Sequence, residues 1–314
     1  MVDKELIKRD KRFHEGPVKR MLNAFVVGVL KGISALPFWM IYGLADFMYL
    51  LLKYVVKYRK KVIVENLTYA FPDKNKTEIE QIANKFYRHF CDFSLETIKL
   101  YNMKEKELDK RFLVRGIENL NRIAQNGKSI IVLGMHYSNW EWGSSIQTKS
   151  LHKLLMVYNP IRGNQAMERF LLHSREKWGG ESVQVHKSAR VLFEYIKKGE
   201  PGALWLAADQ TPPANSPFWT MFLNREAPFF NGPEKIAKKT NQPVVFIYVR
   251  RIKRGYYEAL PSVLIEEPGK VESKEIMLRY IQKMEEVIHA EPEYYLWSHR
   301  RWKHSRPEGI ELTL

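Results

Sequence analysis

Hydrophobic and polar positions divide the chain into three stretches of different character. Residues 22–52 are almost continuously apolar. Residues 62–125 repeat apolar side chains at three- and four-residue spacing, which predicts helices. Beyond these, short β-rich runs alternate with helical patterns. We therefore expect an N-terminal basic and hydrophobic membrane anchor at residues 1–60 and a larger domain at residues 61–314.

The apolar stretch is long enough to engage a membrane. Between Ile33 and Leu52 the only charged residue is Asp46, and a membrane-spanning helix needs about 20 apolar residues. Cations flank the stretch on both sides, whereas a simple crossing concentrates them on one side. This favours a re-entrant or in-plane helix pair, broken near Lys31 and Pro37. A single span and a buried helix of a soluble protein stay open. The flanking cations are Lys4, Lys8, Arg9, Lys11, Arg12, Lys19 and Arg20 before the stretch, and Lys53, Lys57, Arg59, Lys60 and Lys61 after it.

The second half of the chain has the pattern of an α/β domain. Helical patterns, such as those at 164–178 and 187–198, separate several of its β-rich runs. Strands that alternate with helices predict a sheet that is at least partly parallel, with helices packed on it. Ligands of such sheets bind at the carboxyl ends of the strands. The predicted strands are 129–135, 154–159, 202–209, 243–251 and 256–265.

Charge narrows the class of partner. The 314 residues carry a formal net charge of +16, with a sequence pI near 9.6. Such a surplus predicts anionic partners. The sequence shows no zinc spacing, helix-turn-helix or RNP pattern, so nucleic acid is disfavoured. We assign much of the charge to an anionic membrane and to acidic substrates, since each cation near an anionic bilayer contributes about 1 kcal/mol.

Cys91 is the one cysteine of the sequence, in the segment RHFCDFS. A single thiol forms no internal disulfide, which indicates a reducing compartment. A buried small hydrophobe on a helix is a better interpretation than a catalytic thiol.

The segment MHYSNWEW, residues 135–142, contains the strongest candidate chemistry. His136 follows the first predicted strand, where ligands gather. Glu141, in the first turn of the predicted helix, can approach the imidazole within hydrogen-bonding distance, where a carboxylate would fix the tautomer and stabilise the imidazolium. Such a pair activates a hydroxyl for attack on a carbonyl. The alternative is a capping box, with Ser138 as N-cap and Glu141 three residues later, which leaves His136 unexplained.

Two other mechanisms are weaker. Ser138, Ser144 and Ser145 lie near His136, but no G-x-S-x-G motif occurs. Metal chemistry is disfavoured because the chain has neither H-E-x-x-H nor paired cysteines. Direct transfer with His136 as base is the better hypothesis.

Five blocks in order give the chain a family resemblance, from about residue 20 to Pro307. They are HYSNWEW, then VYNPIRGN with REKWGG, AADQTP, FLNREAPFFNGPEKIAKKTNQPVV, and YYLWSHRRWKHSRP. The chain resembles the late lauroyl and myristoyl acyltransferases of lipid A biosynthesis, which are related to the glycerolipid acyltransferases. The resemblance implies a mixed α/β sheet flanked by helices, with an N-terminal helical membrane-docking element.

The resemblance also implies an activity. An acyltransferase of this type moves a fatty acyl chain from an acyl carrier protein thioester to a hydroxyl of a phosphorylated glycolipid, a lipid A precursor. It implies the cytoplasmic face of a Gram-negative inner membrane, and neither a metal nor a tightly bound organic cofactor. In the family the histidine of the H-x4-D/E motif is the general base and the acid its partner, which carries over to His136 and Glu141. Asn139 of the same motif is assigned to substrate binding.

The second block departs from the family pattern. Tyrosine-arginine-proline is usual where this chain has Asn159 between Tyr158 and Pro160. Arg162 is a candidate substitute for the absent arginine. Arg175, in the R-x-x-W-G stretch, matches the family more cleanly and is assigned to the substrate, with a surface-helix cation as the alternative.

The remaining candidates lie in the last three blocks. Asp209 and Gln210 follow a predicted strand and should face the same cleft as His136; we expect Asp209 to organise the substrate or a loop, and not to be the base. Asn231 precedes a helix whose first N–H groups could receive a phosphate or an oxyanion. Arg300 and Arg301 suit phosphate contacts, or else form a solvated surface.

Two other functions stay open at this point. A lysophospholipid or aminolipid acyltransferase would use the same histidine and carboxylate. A non-catalytic membrane lipid-binding protein would need neither of them.

Overall fold

The computed structural model describes residues 13–314 and consists of a seven-stranded mixed sheet flanked by helices, with a second, three-stranded sheet. Its helices are α1 Pro17–Ala35, α2 Phe38–Leu50, α3 Lys60–Ala70, α4 Lys76–Leu100, α5 Glu105–Arg111, α6 Ile117–Gln125, α7 Gln165–Glu176, α8 Ser188–Lys198, α9 Gly232–Thr240 and α10 Glu275–Ala290. Its strands are β1 Phe112–Val114, β2 Ile130–Gly134, β3 Lys153–Tyr158, β4 Glu181–Gln184, β5 Gly202–Ala207, β6 Trp219–Phe222, β7 Arg225–Pro228, β8 Val244–Lys253, β9 Tyr256–Ile265 and β10 Leu312–Thr313.

The large sheet has the strand order β1-β9-β8-β2-β5-β3-β4. All of its neighbouring strands are parallel except β8 and β9, which form an antiparallel hairpin. The small sheet pairs β6 with β7 and β10. All five predicted strands are present, and the prediction of a partly parallel α/β sheet is confirmed.

The sheet is covered on both faces, as its central strands require. Along β2, Ile131 and Leu133 enter one hydrophobic core, while Ile130 and Val132 enter the other. Side chains alternate between the faces of a strand, so a strand that is apolar at every position needs a core on each side. The burial of all five β2 residues follows from this arrangement.

The N-terminal helices form a broken pair that lies against the domain. Helix α1 ends at Ala35 and α2 begins at Phe38. Pro37 drives Leu36 into an extended conformation, which ends the helix there. The predicted break near Pro37 is therefore confirmed, whereas Lys31 lies inside α1 and does not break it.

One side of α2 packs on α4 and the other is exposed. Ile41, Ala45 and Tyr49 are buried, while Trp39 is 74% exposed and Phe47 is 66% exposed. Within the described residues, the helical segment Phe38–Val55 is the one that is long and apolar enough to cross a bilayer. The other large apolar side chains exposed along α1, α2 and the π-helix Leu51–Val55 that continues α2 are Val18, Met21, Leu22, Phe25, Val26, Val29, Leu44, Leu50, Leu51, Tyr54, Val55 and, directly after it, Val56.

Candidate active site

His136 and Asp209 follow two neighbouring parallel strands at the same height. Strand β2 pairs with β5 so that Gly134 lies opposite Ala207. His136 and Asp209 each come two residues later in the chain. The register therefore brings both side chains together at the carboxyl ends of adjacent strands, where sheets of this type bind ligands.

Asp209 holds the imidazole of His136 through two hydrogen bonds. The Nδ1 atom of His136 lies 2.7 Å from Oδ1 of Asp209, and the backbone N–H of His136 donates to Oδ2 at 3.0 Å. Asp209 is buried, whereas the side chain of His136 is 21% exposed. Because a carboxylate accepts the Nδ1 proton, the lone pair of Nε2 is left free to accept another.

Burial and charge act in opposite directions on the pKa of this pair. Burial lowers the pKa of His136, but the charge and hydrogen bond of Asp209, together with the charge of Glu141, raise it above its ordinary value. Burial raises the pKa of Asp209, but the charge and hydrogen bonds of His136 lower it below its ordinary value. The site thus stabilises an imidazolium next to a carboxylate, which suits a proton-accepting base.

Gln210 and Trp140 complete the surroundings of the imidazole. The side-chain amide nitrogen of Gln210 lies 3.2 Å from Nε2 of His136. The Trp140 ring meets the imidazole edge-on, with ring centroids 5.1 Å apart. The amide of Gln210 therefore occupies the ring nitrogen of His136 that faces away from Asp209.

The prediction of a hydrogen bond between His136 and Glu141 is wrong. Glu141 instead accepts two hydrogen bonds from Arg175, at 2.9 Å from Nε and 2.6 Å from Nη2. The reason is geometric: Asp209 already occupies Nδ1, and the turn that begins at Trp140 directs Glu141 towards α7. Burial raises the pKa of Glu141, but the charge and hydrogen bonds of Arg175 lower it, so the carboxylate stays ionised.

The predicted capping box between Ser138 and Glu141 does not form. Ser138 adopts a left-handed conformation with φ of 54°, and its buried hydroxyl has no partner within the described residues. Asn139 is the N-cap instead, accepting from the N–H of Trp142 at 3.3 Å, and the element is the 3₁₀ helix Trp140–Thr148. Asn139 is fully buried, which corrects the expectation that it binds substrate.

A buried glutamate that the sequence analysis missed supports this segment. The carboxylate of Glu96 accepts hydrogen bonds from Tyr42 at 2.9 Å, Asn139 at 2.7 Å and Tyr257 at 2.6 Å. Its backbone carbonyl accepts from the indole of Trp142 at 3.2 Å. The available signal was an acidic residue on the apolar face of a predicted helix, where a charge needs partners.

A cleft of about 520 Å³ opens beside His136. Gln210 and Arg175 line it together with aliphatic side chains, among them Leu171 and Leu206. A recess of about 100 Å³ shares His136 and Arg175 with the cleft and adds Glu141, Met156 and Trp205. An apolar cavity with a few convergent polar groups is typical of a site for a small organic ligand.

The second block contributes to the cleft differently from expectation. Arg162 is exposed and does not line the cleft, whereas Asn159 and Ile161 do. Arg162 therefore does not replace the absent family arginine at the cleft wall. Arg175 lies in the cleft with its side chain 24% exposed, so it is not simply a surface-helix cation.

The candidate residues near the end of the chain lie in three environments: beside the cleft, on the exposed surface and in the buried core. Gly232 and Pro233 line the cleft at the start of α9. Asn231 is the N-cap residue of this helix, but its side chain makes no capping hydrogen bond. Arg300 is exposed. Arg301 is only 1% exposed, and its Nη2 donates to the carbonyl of Pro228 at 2.7 Å. This burial corrects the expectation that Arg301 forms part of a phosphate-binding surface.

Two of the three serines near His136 are hydrogen-bonded elsewhere, and the third, Ser138, is fully buried. The hydroxyl of Ser144 donates to the carbonyl of Glu141 at 3.0 Å, and that of Ser145 donates to the carbonyl of Trp142 at 2.7 Å. Cys91 is buried, and burial raises the pKa of its thiol to about 12. Neither serine hydroxyl is hydrogen-bonded to His136, and Cys91 is the small buried hydrophobe that was expected.

Comparisons with known proteins place the chain among acyltransferases of lipid A biosynthesis. A family model described as bacterial lipid A biosynthesis acyltransferase matches residues 10–304. A lipid A biosynthesis lauroyltransferase of Escherichia coli is 25% identical over 290 residues, which cover 90% of this chain and 92% of the relative. A lipid A biosynthesis palmitoleoyltransferase of Escherichia coli is 26% identical over 92% of each chain. A lipid A biosynthesis acyltransferase of Haemophilus influenzae is 22% identical over 74% of this chain and 72% of its own length.

Proposed function

Because the chain belongs to the bacterial lipid A biosynthesis acyltransferase family, we propose that it moves a fatty acyl chain from an acyl carrier protein thioester to a hydroxyl of a lipid A precursor. Family membership makes the protein an acyltransferase that acts on lipid A. The donor, the roles of the residues and the position at the membrane belong to the proposal.

His136 acts as the general base of the transfer. Its Nε2 takes the proton of the acceptor hydroxyl as that oxygen attacks the thioester carbonyl. The tetrahedral intermediate then collapses, the carbon–sulfur bond breaks, and the imidazolium returns the proton to the leaving thiolate. Asp209, hydrogen-bonded to Nδ1 at 2.7 Å, orients the ring and stabilises the imidazolium between the two steps.

Arg175 and Glu141 adjust the charge of the site. The guanidinium of Arg175 lies in the recess beside His136 and offers a positive charge to the oxyanion that develops on the carbonyl. Glu141 holds that guanidinium by two hydrogen bonds and favours the imidazolium through space. Glu141 thus supports catalysis without contact to His136.

Gln210 blocks access to the Nε2 atom of His136 in the free enzyme. Its amide occupies Nε2 at 3.2 Å, so the acceptor hydroxyl has to displace it. The displaced amide then stays within reach of the same oxygen atom and helps to orient it.

The apolar faces of α1 and α2 sit in the membrane surface, in the plane of the bilayer. Helix α2 is tied to the domain through Tyr42 on Glu96 and through an ion pair of 2.7 Å between Asp46 and Arg254. A helix held this way on one side offers only its other side to lipid, which supports an in-plane position over a crossing. The net charge of +16 supports the cytoplasmic face of the inner membrane and an acidic carrier protein as partners.

The observation that carries the proposal is the pairing of His136 with Asp209 at the wall of an apolar cleft. The test is mass spectrometry of products from purified protein incubated with acyl carrier protein thioesters. The acceptors are a lipid A precursor, a lysophospholipid and an aminolipid. We expect one added acyl chain on the lipid A precursor alone.

Donor and acceptor are judged separately in this assay. Transfer from acyl coenzyme A but not from the carrier protein would refute the proposed donor. Acylation of the lysophospholipid or aminolipid in place of the lipid A precursor would refute the proposed acceptor.

A further inference from the structure

A second cavity lies on the side of α7 that faces away from the cleft. It measures about 420 Å³, lies between α1 and α7 and is open to solvent, with Lys31 and Arg169 at its exposed rim. Ala24, Val27, Gly28 and Lys31 line it from α1, at positions that share one stripe of a helix. Arg169 and His173 line it from α7, while Glu168 and Arg175 of the same helix face the catalytic cleft.

The charge of this cavity is one-sided. Lys31 and Arg169 bring positive charge, and His173 adds an imidazole, whereas none of its described lining residues is a carboxylate. Lys31 is the only charged residue between Met21 and Ala35. Arg169 forms no ion pair within the described residues. The cavity therefore presents cationic donors that protein carboxylates leave free, which suits a phosphate.

The walls of the cavity favour a lipid over a soluble anion. Its α1 side is formed by the apolar Val27 and Ala24 and by Gly28, beside which the space is open. Tyr101 also lines the cavity, and the Nζ atom of Lys31 lies over its ring at 5.2 Å from the centroid. Exposed apolar side chains of α1 lie next to this stripe, including Met21 and Phe25. A phosphate with hydrocarbon attached would contact the cations and the apolar wall together.

We propose that this cavity binds the phosphate headgroup of a membrane phospholipid, with Lys31 and Arg169 as its ligands. The bound lipid would fasten α1 to α7 and so fix the edge of the catalytic cleft at the bilayer. The site is separate from His136, so it does not depend on the transfer reaction.

A calorimetric titration of the full-length protein in neutral detergent tests the site. The probes are water-soluble dihexanoyl phosphatidic acid, dihexanoylglycerol without the phosphate, and inorganic phosphate. We expect saturable binding of the phosphatidic acid, weakened at least about tenfold in a Lys31→Gln/Arg169→Gln variant. The matched control, Lys19→Gln/Arg20→Gln, removes the same charge from exposed positions on α1 and should change the affinity less than about twofold.

A second variant separates a shaped site from general attraction to cations. Gly28→Leu adds a side chain where no atom lies within 4 Å of the new Cβ, so the fold tolerates it while the cavity fills. We expect it to weaken binding with all charges retained. Equal losses in the Lys31/Arg169 variant and the control would overturn the proposal, as would unchanged binding by Gly28→Leu. Inorganic phosphate that binds as tightly as the lipid would overturn the lipid assignment.

Discussion

Two carboxylates act on the same imidazole from different positions. Asp209 touches Nδ1 of His136 at 2.7 Å, while Glu141 is held by Arg175 and acts by charge alone. The motif spacing predicted Glu141 as the partner of His136, because the two residues are near in sequence. The contact belongs to Asp209, because the parallel register of β2 and β5 makes it near in space.

Asp209→Asn tests the contact through the pH dependence of turnover. The raised pKa of His136 predicts that kcat/KM falls as pH drops through a value above the ordinary histidine pKa of about 6.5. Without the negative charge, the imidazolium is less stable, so the acidic limb of the kcat/KM profile, where activity falls with pH, should move to lower pH. Maximal turnover should also fall, by about 10²–10⁴-fold. An unmoved limb would contradict the role of Asp209, and exposed Asp73→Asn is the control.

Glu141 and Arg175 should shift the same limb in opposite directions. Glu141 raises the pKa of His136 and Arg175 lowers it. Glu141→Gln is therefore expected to move the acidic limb to lower pH, and Arg175→Gln to move it to higher pH, with the double variant between them. Both single variants lose turnover, since the guanidinium loses its support or its charge. Shifts of the same sign would show that the pair does not act by charge.

At the scale of elements, the sequence predicted what alternation and spacing encode. The five longer runs are strands because each is apolar enough to enter a core on one or both faces. The five strands of four residues or fewer, β1, β4, β6, β7 and β10, were missed, since segments this short are strands only through the neighbours they pair with. Strand-end positions for His136 and Asp209 were predictable, but their pairing was not, because a sequence does not state its register.

The 3₁₀ helix after His136 shows the same limit. A serine followed by a glutamate predicted a capping box, yet Asn139 caps the helix. Asn139 also donates to Glu96 of α4, a contact over a long sequence distance that local signals do not contain. Tertiary contacts overrode the local preference.

Glu96 should stabilise the segment that follows His136, because it is hydrogen-bonded to Asn139 and Trp142. Glu96→Ala leaves the hydroxyls of Tyr42 and Tyr257 and the amide of Asn139 without their buried acceptor. Each unsatisfied group costs about 1–3 kcal/mol, so urea denaturation should show a loss of about 3 kcal/mol or more. Glu96→Gln, which keeps one oxygen acceptor, should lose less. The exposed Glu80→Ala on the same helix is the control, expected within about 0.5 kcal/mol of the wild type.

The turnover of the Glu96 variants tests whether Glu96 also positions the segment that follows His136. If Glu96 positions the segment, Glu96→Ala reduces kcat at temperatures where the protein is still folded, and Glu96→Gln restores part of it. Wild-type kcat in a destabilised but folded Glu96→Ala would confine Glu96 to stability.

At the scale of the whole molecule, the chain separates an exposed apolar side, formed by α1 and α2, from the sheet. Helices α1 and α2 expose large apolar side chains outward while their inner sides contact α4 and α7. The apolar stretch and its break were predictable from composition and from Pro37. Its lateral packing was not, because that depends on the buried stripe Ile41, Ala45 and Tyr49 matching α4.

Trp39→Glu/Phe47→Glu should release the protein from bilayers. Both side chains are largely exposed, so charges there leave the fold intact but oppose insertion of α2 into lipid. Flotation with vesicles containing anionic phospholipid should show most of the variant in the unbound fraction. Met221→Glu/Val263→Glu, at exposed apolar positions outside α1 and α2, should float like the wild type. Flotation of the Trp39/Phe47 variant would refute docking through this face.

The most direct test of the account is the single-turnover rate of acyl transfer by His136→Ala. The protein is saturated with acyl carrier protein thioester and mixed with lipid A precursor, and the acylated product is counted by mass spectrometry. We predict a rate lower by about 10²–10⁴-fold, with the thermal unfolding midpoint close to that of the wild type, because the side chain lies at the cleft wall. Transfer at the wild-type rate by the folded variant would contradict the assignment of His136 as the base.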